Sequence, residues 1–376
     1  MTKNTPINIA IIDDGVNQSD FNLSGSWAIG RDLKVTDEPC NQIENHDSHG
    51  TICAKIMRKY LKKGSIDNIR FHSVAVLDSE TMHGNVDQLV AAFELCSELD
   101  MRVIHLSIGS SYYRDFPTIK KCAEELHKKG AIMIAALSNR GTMTYPACLP
   151  YVIGVKSDAS LRDSRFCYFS NPLDGIEIAA SSSHILRNGK GRYITPTANS
   201  YAVPVATGKV ISYLLENPNL QFGDIHNALM KDAIKTSGGQ ASKPSKDIEI
   251  PVVAFEAFAI SELCPMMVDL RHLFWQNEYN CRVALNNPQT AISDFDVMPN
   301  DMEAMKYLCE FWDCDVLLVE LTDDKALDYL GETSVIVKNG GSGCENAVEK
   351  YGDRFEICLN EKNIGWLFET ILKILT

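Results

Sequence analysis

The sequence contains no run approaching the ~20 consecutive apolar residues of a membrane span. No apolar signal segment follows Met1, and the short apolar stretch before Asp13 is too brief to serve as one. A basic surplus is also missing. Lys and Arg number 36 against 49 Asp and Glu, for a formal net charge of −13. Nucleic-acid and anionic-membrane surfaces need basic patches, so neither partner is expected. The 12 cysteines form no C-x-x-C pair and no His-rich spacing. A metal site is therefore not expected, nor is any other cofactor. Without an export signal the cysteines read as reduced thiols in a cytoplasmic protein. Cys53, Cys96 and Cys122 fall in helical patterns as small buried side chains.

What is present is ordinary for a soluble globular chain: 45% hydrophobic and 23% charged residues. A length of 376 residues suggests two domains. Ile7-Asn8-Ile9-Ala10-Ile11-Ile12 is a β-branched run typical of a buried parallel strand. It ends at Asp13-Asp14-Gly15, which alone would be a plain turn, but it places a carboxylate at the strand edge where α/β sheets gather their functional groups. Ile52, Ile56 and Tyr60 recur at helical spacing and put His49 at the head of an amphipathic helix. Histidine is suited to proton transfer near neutral pH. His46 is a rival for that role but lacks the Gly-Thr that follows His49.

Further strands are expected at 71–77, 103–106 and 131–136, alternating with helices near 84–99 and 116–129. The strand at 103–106 exits into Ser107-Ile108-Gly109, and the one at 131–136 into Leu137-Ser138-Asn139-Arg140-Gly141. Tyr145-Pro146-Ala147 follows, then strands at 152–155 and 176–180. Such alternation means a parallel sheet with helices on both faces. Pro204 marks the first turn of a helix and places Ser200 at its N-terminal end, where backbone N–H groups are free. A serine there is ordinarily a cap.

Asp13-Asp14-Gly15, His49-Gly50-Thr51 and Ser200-Tyr201-Ala202-Val203-Pro204 together resemble the Asp, His and Ser motifs of the subtilisin-like serine proteases, and in that family's chain order. Ser107-Ile108-Gly109 resembles the strand that pairs with substrate backbone, Asn139 the oxyanion asparagine, and Tyr145-Pro146-Ala147 the segment after it. The resemblance spans residues 6–237. It implies an Asp13–His49–Ser200 triad with Asn139 as oxyanion donor, and a peptide substrate. Alignment with the family puts Arg140 at the lip of the pocket for the residue before the cut, favouring an acidic or polar side chain, and Thr144 at its floor. A solvated surface arginine is the competing reading. Two departures stand out: Ala198-Asn199 before the serine and Tyr201 after it, where the family usually reads Gly-Thr and Met, and Ser138 where it carries Gly.

The expected architecture is α/β: a subtilisin-like parallel sheet flanked by helices over residues 1–237, a linker at 238–247, and a second, smaller α/β domain at 248–376. In the second domain, strands are expected near 250–254, 281–285, 316–320, 334–337 and 355–358, with helices near 301–312, 343–351 and 361–375. Gly340-Gly341-Ser342-Gly343 lacks the features of a phosphate loop and reads as a turn. This half resembles proteins of bacterial peptide-maturation systems. Only twelve residues precede Asp13, so neither signal nor propeptide is expected in this chain. The reading is a cytoplasmic serine endopeptidase that removes a leader from a ribosomal peptide precursor. A catalytically weakened subtilase-like protein, holding an extended peptide by β-augmentation, is the alternative that the altered serine motif keeps open. Oligomeric state is not legible.

Overall fold

The computed structural model describes residues 6–37, 47–61, 66–78, 81–238, 250–285, 295–297, 302–321, 335–340, 346–352, 354–359 and 363–376. The chain divides into two compact units, residues 1–111 with 115–240, and 241–376 with 112–114.

In the first unit the elements run β1 (Ile7–Asp13), β2 (Leu23–Ile29), β3 (Val35–Thr36), α1 (His49–Tyr60), β4 (Ile69–Ala75), α2 (Val86–Glu98), β5 (Val103–Leu106), α3 (Phe116–Lys128) and β6 (Ile132–Ala136). They continue with β7 (Val152–Ser157), β8 (Phe166–Ser170), β9 (Ile178–Ala180), β10 (Ile185–Asn188), β11 (Gly191–Ile194), α4 (Val203–Glu216), α5 (Phe222–Asp232) and β12 (Lys235–Gly238). Ten strands form one sheet in the order β12-β8-β9-β7-β6-β5-β1-β4-β2-β3. It is parallel except for the β2–β3 and β8–β9 pairs, and β10 and β11 form a separate hairpin.

The middle of the sheet explains itself from the sequence. Ile9, Ile11 and Ile12 on β1, Val103 and Ile104 on β5, and Ile132 and Ile134 on β6 are all buried, so both faces of these strands are covered. Continuous apolar runs suit strands sandwiched between helices. α1 buries Cys53, Ala54, Ile56 and Met57 on one stripe, and Arg58 and Lys59 fall in its last turn. α4 is buried on nearly every side, from Val203 to Leu214, with Pro204 in its first turn. The ends of β1, β5 and β6 open on one edge, where Asp13, Ser107 and the loop carrying Asn139 emerge.

The second unit holds β13 (Val252–Glu256), α6 (Ile260–Gln276), β14 (Cys281–Leu285), β15 (Asp296–Val297), α7 (Met302–Trp312), β16 (Val316–Leu321), β17 (Val335–Asn339), β18 (Ala347–Tyr351), β19 (Arg354–Leu359) and α8 (Ile364–Leu375). Seven strands make a sheet in the order β15-β14-β16-β13-β17-β19-β18. Its core gathers Val253, Met267, Phe274, Val283, Leu318, Val337 and Phe368.

Three local expectations are corrected. The helix expected at 343–351 is instead the strand β18, all five residues exposed, paired antiparallel with β19. Edge pairing supplies its backbone with partners that the local sequence does not specify, and Glu349 and Lys350 mark it as a charged edge. α6 occupies a region where no element was expected; Pro265 lies inside it, a residue that ordinarily interrupts a helix. Gly238, the first residue of the expected linker, is instead the last residue of β12, which pairs with β8. The rest of the expected linker, from 239, lies outside the described residues, as do Gly341, Ser342 and Gly343 of the glycine-rich turn and the rival His46.

Candidate active site

Asp13 is the last residue of β1 and is fully buried. His49 is the first residue of α1, a helix capped by the Ser48 hydroxyl, which accepts from the Thr51 N–H at 3.2 Å. The glycine after His49 is required by space. A Cβ at Gly50 would stand 2.6 Å from the Gly15 carbonyl oxygen and 3.1 Å from Asp13 Cβ. Ser200 sits in a single 3₁₀ turn, Asn199–Tyr201, directly ahead of α4, and is nearly buried.

These three side chains meet. His49 Nδ1 lies 2.9 Å from both carboxylate oxygens of Asp13, and its Nε2 lies 3.0 Å from Ser200 Oγ. Nδ1 therefore carries the proton toward Asp13 and leaves Nε2 to accept from the serine hydroxyl. Burial pushes the Asp13 carboxyl up, but the His49 charge and hydrogen bond, helped by the Asp14 N–H, outweigh it and hold the group below its ordinary value. Burial acts downward on His49, and the charge and hydrogen bond of Asp13 more than reverse it. The Tyr201 ring flanks the imidazole with centroids 5.1 Å apart.

Sequence reasoning did not assign Asp14 or His105 a place here: Asp14 lies within the Asp13-Asp14-Gly15 motif but is read only as part of it, and His105 stands in no pattern that would mark it. Asp14 turns its carboxylate onto the head of α1, accepting from the His49 N–H at 2.9 Å and the Gly50 N–H at 2.8 Å. Those are orphan donors of the helix N-terminus, close to the positive end of its dipole. His105 is fully buried on β5, and burial pushes its imidazole down to about 3, so it is neutral. Thr207 spends its hydroxyl proton on the Val203 carbonyl at 3.0 Å, so it must accept from His105 Nδ1–H at 3.0 Å. His105 Nε2 then accepts from the Ser107 hydroxyl, also at 3.0 Å. Cys53 Sγ lies 3.4 Å from the same hydroxyl and 3.7 Å from the Ser200 carbonyl.

Asp13, His49 and Cys53 bring three potential ligand atoms within 4.8 Å of one another. Both imidazole nitrogens are already engaged, and burial pushes the Cys53 thiol far above its ordinary range, keeping it protonated. The set is built for hydrogen bonding rather than for a cation, which would need the thiolate and a free imidazole nitrogen.

Ser107-Ile108-Gly109 leaves the end of β5, and Ser110 makes a two-hydrogen-bond bridge with Tyr145. A Cβ at Gly109 would stand 2.5 Å from the Tyr145 carbonyl oxygen and 2.7 Å from the Thr144 methyl, so the two segments touch through this glycine. Thr144 is buried, and its hydroxyl is spent within the loop: it accepts from the Ser138 N–H and donates to the Thr142 carbonyl, both at 2.9 Å. Arg140 is exposed on the same loop. Asn139 presents Oδ1 to the Asn199 N–H at 2.8 Å, which directs its Nδ2 protons away from that contact.

The arrangement can polarise a serine hydroxyl against a base that a carboxylate orients, beside a carboxamide able to donate to a developing negative oxygen. The chain is 27% identical over 235 residues to the thermophilic serine proteinase of Bacillus sp. (strain AK1), a match covering 61% of this chain and 57% of that protein. It is 25% identical over 219 residues to the major intracellular serine protease of Bacillus subtilis (strain 168), covering 55% of this chain and 67% of the other. The chain thus spans little more than half the length of the first of these relatives. Among solved structures, a lanthipeptide protease is similar with a TM-score of 0.48 at 18% identity, over 61% of this chain and 80% of that one. No helix among the described residues is long and apolar enough to cross a membrane. The subtilase family profile matches residues 4–248, about two thirds of the sequence, and the chain belongs to that family of subtilisin-like serine proteases.

Proposed function

We propose that this protein is a serine endopeptidase in which Ser200 attacks the scissile carbonyl. His49 takes the serine proton and returns it to the leaving amine, and Asp13 holds the imidazole tautomer and stabilises the imidazolium. The Asn139 Nδ2–H and the Ser200 N–H donate to the oxyanion of the tetrahedral intermediate. The observation that carries the reading is His49 bridging two partners, Asp13 at 2.9 Å and Ser200 at 3.0 Å. An extended peptide adds its backbone alongside Ser107-Ile108-Gly109, with Thr144 packed behind Gly109 and Arg140 at the pocket lip favouring an acidic or polar residue before the cut. The substrate is a ribosomal peptide precursor whose leader is removed in the cytoplasm, and the second unit contributes to its recognition. The C-terminal resemblance to peptide-maturation proteins supports that choice of substrate, and the acidic chain, at −13, is suited to peptides rather than nucleic acid.

A fluorophosphonate probe tests the reading, because only an activated serine reacts. Wild-type protein should label at Ser200 and Ser200→Ala should not label at all, while melting at a similar temperature. Persisting label in the variant would move the nucleophile elsewhere. Absence of label in the wild type would favour a peptide-binding protein that has lost catalysis.

A further inference from the structure

Asn199 occupies the position where the family pattern has threonine, and it is nearly buried. Its side chain reaches in two directions. Oδ1 accepts from the Ser157 N–H at the end of β7 at 2.8 Å, and Nδ2 donates to the Ser138 carbonyl at 2.7 Å. Its own main-chain N–H donates to Asn139 Oδ1 at 2.8 Å. A backbone N–H can only donate and a carbonyl can only accept, so each contact admits one amide orientation. Asn199 cannot be flipped without losing both of its side-chain partners. Asn139 cannot be flipped without turning an NH₂ group against the Asn199 N–H.

We infer that Asn199 is a positioning residue for the oxyanion site, tying the Ser138-Asn139 loop to the turn that carries Ser200 and holding the Asn139 carboxamide with its Nδ2 protons free to donate. The inference rests on the proposed role of Asn139 as oxyanion donor. Asn139 Nδ2 and the Ser200 N–H belong to segments about 60 residues apart in sequence, and Asn199, adjacent to Ser200, spans them. A threonine hydroxyl has one donor and a short reach, so it cannot bond Ser138 O and Ser157 N–H in this fashion. The sequence departure before the serine therefore supplies a clamp to the loop, and it need not signal lost catalysis. Preorganised donors act strongly because they are already aimed where charge develops, and carboxamides on exposed loops need such support.

The test measures the second-order rate of phosphonylation of the full chain by a small fluorophosphonate, whose phosphoryl oxygen enters the oxyanion site without remote substrate contacts. Asn139→Ala should slow the reaction by ~10²-fold, on the scale known for loss of one oxyanion donor in subtilisin, a relative. Asn199→Ala should slow it by about 10- to 100-fold, the scale of a small misplacement. The double variant Asn139→Ala/Asn199→Ala should react within about 3-fold of Asn139→Ala alone, because a positioning residue has nothing left to position. Additive losses would overturn the inference, as would an Asn199→Ala protein reacting like wild type. If Asn139→Ala itself reacts at the wild-type rate, the oxyanion reading fails instead. Asn199→Asp keeps the acceptor for Ser157 and loses the donor to Ser138, and the same cycle run with it decides the matter if Asn199→Ala does not fold.

Discussion

Asp13 and Asp14 are neighbours in the chain, yet their carboxyls are pushed in opposite directions. Asp13 is held low by the His49 partner that outweighs its burial. Asp14 is raised to about 6, chiefly by burial and then by the Asp13 charge, against the pull of the Gly50 and His49 N–H groups. The groups facing it are Asp13 from β1, His49 and Cys53 from α1, and Tyr201 ahead of α4. The folded chain therefore binds the Asp14 proton more tightly than the unfolded chain, whose value lies near 3.8. Its contribution to stability is fully present below about pH 4 and is lost as pH rises through about 6. Asp14→Asn has no such dependence. The melting temperature of wild type minus that of Asp14→Asn, followed from pH 4 to 7, should fall; a flat difference would show that Asp14 does not titrate in this range.

At the scale of the element, the head of α1 is a joint whose tolerance is set by glycine. The helix starts at His49, and Gly50 lies against the Gly15 carbonyl and Asp13 Cβ. Adding a methyl at Gly50 must push α1 away from β1 and take His49 with it. Gly50→Ala should lose about 1–3 kcal/mol of stability, the usual cost of overpacking. Its fluorophosphonate reactivity should fall by about 10²-fold, since a shift of ~1 Å at a reacting group costs that much. Thermal unfolding and labelling rate measured together check both, and unchanged labelling would mean the helix head can move without disturbing the imidazole. Elements were legible where their pattern is periodic and self-contained, as in β1, β5, β6 and α1. They were not where partners decide: β18 is a strand because β19 lies beside it, and α6 accommodates Pro265 through packing of Leu263, Met267, Leu270 and Phe274 in the second core.

At the scale of the whole molecule, the candidate catalytic side chains Asp13, His49, Asn139 and Ser200 all belong to the first unit, and that unit closes its own core around β1, β5, β6 and α4. A fragment ending at Asp247 should therefore keep its fluorophosphonate reactivity. It should cleave a natural precursor peptide with a raised KM and a similar kcat if the second unit supplies binding contacts away from the cut. Steady-state kinetics on both lengths decide this. Equal kcat/KM would remove substrate recognition from the tasks of the second unit.

The sequence by itself was enough to single out a carboxylate at the end of an apolar strand, a histidine at the head of an amphipathic helix and a serine just before a proline-marked one. Each of these signals is local, written within a dozen residues, and their order along the chain carried the family resemblance. Only the tertiary structure decided which polar groups stand behind them. Asp14 looks like half of a turn until α1, 35 residues on, presents its N–H groups. His105 looks like an interruption in a strand until Thr207 and Ser107 fix its tautomer, and Asn199 reads as a departure from pattern until Ser138, Asn139 and Ser157 close around it. The reason is physical: apolar periodicity is a property of one segment, whereas a buried polar side chain takes its role from partners brought in by distant segments.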